Sequence, residues 1–163
     1  MTTLASMNTA TETLVGMGQI AAGRAPERMK SILGSCIGLT LYHPRLKAGA
    51  MTHIVLPDSA GRSGAPGKFA DTAIPEMLKL LSRLGAPACA LIAKFAGGAN
   101  MFATSGPLQI GDANVEAVTQ VLKAAGIRVA GQDVGGTVGR RIVFDCASGE
   151  MTIECAGKPA RTL

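Results

Sequence analysis

Two side chains in this sequence have the types and spacing for nucleophilic chemistry on a carbonyl. Cys36 stands in Ile32-Leu33-Gly34-Ser35-Cys36-Ile37-Gly38, and His53 follows in His53-Ile54-Val55-Leu56-Pro57. A free thiol is only a few per cent thiolate at neutral pH, and a neighbouring imidazole can take its proton. Gly34 and the small Ser35 leave room around the sulfur and let backbone N–H groups face a developing oxyanion, each such donor being worth about 3–4 kcal/mol. Ser31 or Ser35 can supply the polar group that orients the imidazole. The competing reading is a packed thiol, because cysteine is among the most buried residue types. With only 2 histidines in the chain, His53 has one rival, His43, whose place beside Pro44 reads as a surface turn.

The other cysteines offer less. Cys89 lies in an apolar run and reads as core, while Cys146 and Cys155 sit in a C-terminal hairpin without a histidine. None of the 4 cysteines forms a CxxC pair or a Cys/His cluster, which argues against zinc. The N-terminus lacks a secretory pattern, and no apolar run reaches the roughly 18 residues of a membrane span, so a reducing cytoplasm without direct membrane insertion is expected. The formal charge of +5 is scattered, and aromatics are only 3%, too few to stack bases, so nucleic acid is not an expected partner.

A length of 163 residues suits one domain whose core is built from Val, Ile, Leu, Met and Ala. Residues 1–13 are Thr-rich and aperiodic and read as a disordered lead-in to a single domain over 14–163. The segment from Leu14 to Ala22 suggests an edge strand. The β-rich stretch from Met29 to Tyr42 contains Cys36, and Gly49 to Leu56 reads as the next strand. An antiparallel pair turning at Pro44–Lys47 can bring Cys36 and His53 together. Asp58 to Lys68 is a Gly/Ser/Pro-rich loop beside the histidine.

Two helices follow from apolar spacing. Ile74, Met77, Leu78, Leu81 and Leu84 make one stripe, with Asp71 or Thr72 as cap, Pro75 in the first turn and Gly85 as stop. Val115, Val118, Leu122 and Ala125 make the other, with Asp112 as cap and Gly126 as stop. Strand-like runs follow each helix, at Ala88 to Phe95 and Ile127 to Ala130. Arg141 to Cys146 and Met151 to Cys155 form a hairpin through Ser148-Gly149. The fold class is α/β of the α+β type, with helices against one side of a mainly β structure.

Five segments in order carry a resemblance that spans about Val15 to Glu154. They are Leu33-Gly34-Ser35-Cys36, His53-Ile54-Val55-Leu56-Pro57, Lys94-Phe95-Ala96-Gly97-Gly98-Ala99-Asn100-Met101-Phe102, Ile110-Gly111-Asp112-Ala113-Asn114 and Asp133-Val134-Gly135-Gly136. The chain resembles the chemoreceptor glutamine deamidase family, CheD, of bacterial chemotaxis. The resemblance implies a cysteine-hydrolase-like fold, a β-sandwich flanked by helices, with Cys36 as nucleophile and His53 as general base. The family's third catalytic residue is a threonine shortly before the cysteine. Lys30-Ser31 occupy that place here, and Ser31 keeps a hydroxyl for the orienting role.

The implied reaction turns receptor glutamines into glutamates through a cysteine thioester, and the same site can hydrolyse glutamyl methyl esters. It needs no cofactor and no metal. The implied partners are the cytoplasmic helices of chemoreceptors, as substrate, and a CheC-type phosphatase. An alternative role is a regulatory binding module for that phosphatase with little catalysis of its own.

Overall fold

The computed structural model describes residues 10–101 and 109–163. The strands are β1 (Glu12–Leu14), β2 (Ile20–Arg24), β3 (Arg28–Leu33), β4 (Ile37–His43), β5 (Ala48–Ile54), β6 (Ile92–Gly97), β7 (Arg128–Val134), β8 (Arg140–Asp145), β9 (Met151–Glu154) and β10 (Arg161–Thr162). Helix α1 (Ala70–Arg83) precedes β6, and α2 (Ile110–Ala124) precedes β7. The strands form two five-stranded sheets, in the orders β1-β3-β8-β9-β10 and β2-β5-β4-β6-β7.

The second sheet is the middle layer. All seven residues of β4 and all seven of β5 are buried, because this sheet is covered on both faces. Side chains alternate between the two faces of a strand. Ile37, Leu39 and Leu41 pack with Ile74, Met77 and Leu81 of α1 and Val118 and Leu122 of α2. Tyr42 and Met51 point the opposite way and meet Met29, Leu33, Ile142 and Phe144 of the first sheet. Each fully buried side chain of this kind contributes about 1.5–3 kcal/mol. The expected sandwich with helices on one side is therefore present.

The local expectations divide instructively. The β4–β5 hairpin closes through residues 44–47, with His43 opposite Ala48. The β8–β9 hairpin turns at Gly149, whose φ of 75° suits glycine. Gly85 and Gly126 end the helices as expected, at φ of 81° and 69°. The helix starts differ, since Phe69 and Gln109 hold the N-cap positions while Asp71 and Asp112 lie within the first turns. Pro75 lies inside α1 rather than in its first turn.

Several sequence expectations need correction. Met29 to Tyr42 is two strands in different sheets, β3 and β4, joined by Gly34-Ser35-Cys36. Leu14 to Ala22 is likewise divided between β1 and β2, so Glu12 and Thr13, assigned to the lead-in, pair with β3. The remainder of the lead-in, 1–9, lies outside the described residues. Cys89 is exposed in a short 3-10 turn, because β6 begins only at Ile92. His43 is buried, and its Nδ1 accepts the Leu46 N–H at 3.2 Å, which satisfies the ring inside the hairpin turn. Among the described residues no helix is long and apolar enough to cross a membrane.

Candidate active site

Cys36 occupies the crossover between the sheets, one residue before β4. Every carbonyl of this crossover is tied down. Gly34 O accepts from Ala99 N at 3.0 Å, Cys36 O from Gly98 N at 2.9 Å, and Ser35 O from Asn114 Nδ2 at 3.0 Å. Among the described residues, the N–H groups of Gly34, Ser35 and Cys36 donate to no main-chain or side-chain acceptor. A backbone whose carbonyls are pinned and whose N–H groups are unengaged has the donors an oxyanion needs.

The loop that pins it depends on glycine. Gly97 has φ 116°, and a Cβ there would overlap the Cys36 carbonyl oxygen. Arg140 fixes the far side of this loop, donating through Nη1 to Gly97 O at 3.1 Å and through Nη2 to Gly135 O at 2.8 Å. Its Nε pairs with Asp133 at 2.9 Å. Gly97, the last residue of β6, and Gly98 after it thus lie against the carbonyl of Cys36. Met101 is exposed, with its Cγ 3.5 Å from where a Cβ on Gly34 would stand; Phe102 lies outside the described residues.

His53 reaches the site from β5. It pairs in register with Gly38, two residues after Cys36. Cys36 and Gly38 share a strand parity, so the cysteine lies on the face of β4 that looks the same way as His53. A diagonal pair of this kind has Cα atoms about 7–8 Å apart, within reach of two side chains. Gly38 opposite the imidazole lets the sheets approach closely, since a Cβ there would stand 2.9 Å from Leu33 Cδ1.

Ser31 faces His53 from the other sheet. Along β3, Met29, Ser31 and Leu33 point inward while Ile32 is exposed. Ser31 Oγ lies 2.9 Å from His53 Nδ1 and donates its one proton to Val15 O at 2.8 Å. With that proton engaged, the hydroxyl can only accept from the ring, so Nδ1 carries the hydrogen. Val15 O is a second acceptor for the same ring nitrogen, at 3.3 Å. The neutral imidazole consequently keeps its lone pair on Nε2, the atom left for the thiol.

Burial favours the uncharged form of both side chains. Burial pushes the half-buried Cys36 thiol above its ordinary 9.0. Burial likewise lowers His53 below 6.5, against the opposing influence of the Val15 carbonyl. Among the described residues no cluster of three or more His, Cys, Asp or Glu side chains is placed to hold a metal ion.

A sequence model described as CheD chemotactic sensory transduction matches residues 55–155. The chain is 43% identical over 141 residues to a Methanococcus vannielii protein named "Probable chemoreceptor glutamine deamidase CheD", covering 85% of this chain and 92% of that one. It is 39% identical over 145 residues to the Thermotoga maritima "Chemoreceptor glutamine deamidase CheD", covering 88% and 92%. The chain belongs to the CheD family. A crystal structure of the Bacillus licheniformis hypothetical protein YfiH overlaps 72% of this chain and 49% of its own, at 13% identity and a TM-score of 0.46.

The CheD match begins two residues after His53 and takes in the loop at 97–100, Asn114 and Arg140. These are the groups that hold the cysteine crossover, and of them Asn114 and Arg140 received no role from the sequence. The glycine loop and Asn114 lie in the motifs Ala96 to Asn100 and Ile110 to Asn114, whereas Arg140 lies outside the motifs and only its partner Asp133 falls in one. What hid their function is that each binds main-chain carbonyls, which side-chain chemistry does not reveal.

Proposed function

We propose that this CheD chain deamidates glutamine side chains of chemoreceptors, with Cys36 as nucleophile, His53 as general base and acid, and Ser31 as the group that orients His53. The observation that carries this reading is the Ser31 Oγ–His53 Nδ1 hydrogen bond of 2.9 Å, with the serine's own proton committed to Val15 O. That arrangement leaves Nε2 as a base on the side where Cys36 arrives.

The reaction starts from a neutral thiol and a neutral imidazole. As the Cys36 sulfur bonds to the amide carbon, its proton passes to His53 Nε2 and the carbonyl oxygen becomes an oxyanion. N–H groups of the Gly34–Cys36 crossover stabilise that charge. The imidazolium then protonates the amide nitrogen, the C–N bond breaks and ammonia leaves, so that a thioester remains. His53 next takes a proton from water, whose oxygen attacks the thioester. Collapse returns the proton to sulfur and releases glutamate. A glutamyl methyl ester follows the same course with methanol as leaving group.

The four cysteines are free thiols, which suits a reducing compartment, and we place the reaction at receptor helices in the cytoplasm. A CheC-type phosphatase is the proposed regulatory partner. Incubation with receptor fragments, followed by mass spectrometry, tests the reading. The expected result is a gain of roughly one dalton per modified glutamine, the replacement of NH₂ by OH. Equal gain with Cys36→Ala, or no gain with the wild type, contradicts it.

A further inference from the structure

Asn114, in the second turn of α2, has no exposed surface. Its Nδ2 donates to two main-chain carbonyls, Ser35 O at 3.0 Å and Val55 O at 3.0 Å. Both neighbours are acceptors only, so chemistry fixes the amide orientation: only the NH₂ can face them, and both of its protons are engaged. The opposite atom, Oδ1, is buried and has no partner among the described residues. Turning the amide to relieve Oδ1 would break at least one of the two carbonyl bonds and aim oxygen at oxygen.

The two carbonyls flank the reactive pair. Ser35 adjoins Cys36, and Val55 lies two residues after His53. The β4–β5 ladder ends at the pair Ile37 and Ile54, so His53 is held within the ladder while Cys36 lies one step beyond it. Past that last rung the strands part, β4 back toward the other sheet and β5 into the loop at 56–65. Asn114 spans the gap where the next rung would be. The Gly97–Ala99 loop also holds the crossover, but it ties Cys36 to β6 and not to β5.

We propose that Asn114 is a positioning residue that sets the separation of the nucleophile from its base by clamping the Ser35 and Val55 carbonyls with one amide. The proposal rests on Cys36 and His53 being the working pair. It predicts that loss of the amide uncouples them while substrate binding persists. A shift of about 1 Å in a reacting group can cost about 10²-fold in rate.

The test uses the full chain with Asn114→Ala and the isosteric Asn114→Asp, which replaces the double donor by an acceptor. Turnover of a receptor fragment and the rate of Cys36 alkylation by iodoacetamide are followed against pH, with melting temperature as a check on folding. Expected are a fall in kcat of about 10²-fold with KM little changed, and an alkylation rate that rises with pH as for an isolated thiol. In the wild type, His53 makes that rate level across neutral pH. A folded variant with wild-type kcat and a wild-type alkylation profile overturns the proposal.

Should the wild type fail to deamidate, the deamidase reading falls, and the alkylation profile still decides the role of Asn114. Should neither variant fold, the wild-type ¹⁵N spectrum decides it. Slow exchange of both Asn114 amide protons, with hydrogen-bond couplings to the Ser35 and Val55 carbonyls, is expected, and a freely exchanging amide overturns the clamp.

Discussion

The crossover that carries Cys36 and the hairpin turn that carries Cys146 both press a thiol into the space between the sheets, with different results. Cys146 is fully buried, and burial, with the Glu27 and Asp145 carboxylates, pushes it up to about 11. Its Sγ has backbone groups beside it, the Gly23 carbonyl at 3.9 Å and the backbone of Gly49. Cys36 is also raised by burial, yet it stays partly open and lies on the same strand face as an imidazole with a free lone pair. Burial alone makes a thiol inert. What separates the two sites is a base to take the proton and a backbone with unengaged N–H groups.

That contrast can be broken most sharply by exchanging the two losses. Cys36→Ala is expected to abolish deamidation, whereas Cys146→Ala keeps it and costs about 1–2 kcal/mol of folding stability through lost packing. Turnover and chemical denaturation of the two variants read this directly. A smaller effect is expected from Gly97→Ala. Its Cβ cannot share space with the Cys36 carbonyl, so the crossover must shift, at about 1–3 kcal/mol in stability and with a larger loss in kcat than in KM.

The mildest test concerns His53 and its orienting serine. Because His53 is lowered, activity falls on the acid side only as pH drops through a value below 6.5, where the protonated ring can no longer accept from the thiol. Because Cys36 is raised, the alkaline fall lies above 9.0, where the proton needed by departing ammonia is gone. The kcat/KM profile is therefore level between the two. Ser31→Ala is expected to slow turnover about tenfold, the worth of one hydrogen bond of about 1.4 kcal/mol, and Ser31→Thr to restore it.

The parts of the fold legible in the sequence were those set by local pattern. Apolar spacing gave both helices, Pro44 and Ser148-Gly149 marked the two hairpin turns, and the β4–β5 pairing placed His53 near Cys36. The crossover was not legible, because the run from Met29 to Tyr42 is β-prone throughout, and nothing in its composition says that Gly34 switches sheets. Sheet membership also explains the misread His43, whose β4 strand is covered on both faces. Cys89 sits among small residues that read as core but fall before the strand begins. The choice of Ser31 over Ser35 as the partner of His53 came from the family resemblance. The Asn114 clamp was invisible because its partners are peptide carbonyls, brought together only by three separate segments of chain.

The covalent role of Cys36 is tested most directly by running the reaction on a receptor fragment with hydroxylamine present. A thioester on Cys36 is partitioned between water and the stronger nucleophile, so the target glutamines should appear as both glutamate and γ-glutamyl hydroxamate, the latter rising with hydroxylamine concentration. Glutamate alone at every concentration, or hydroxamate formed equally by Cys36→Ala, would contradict it.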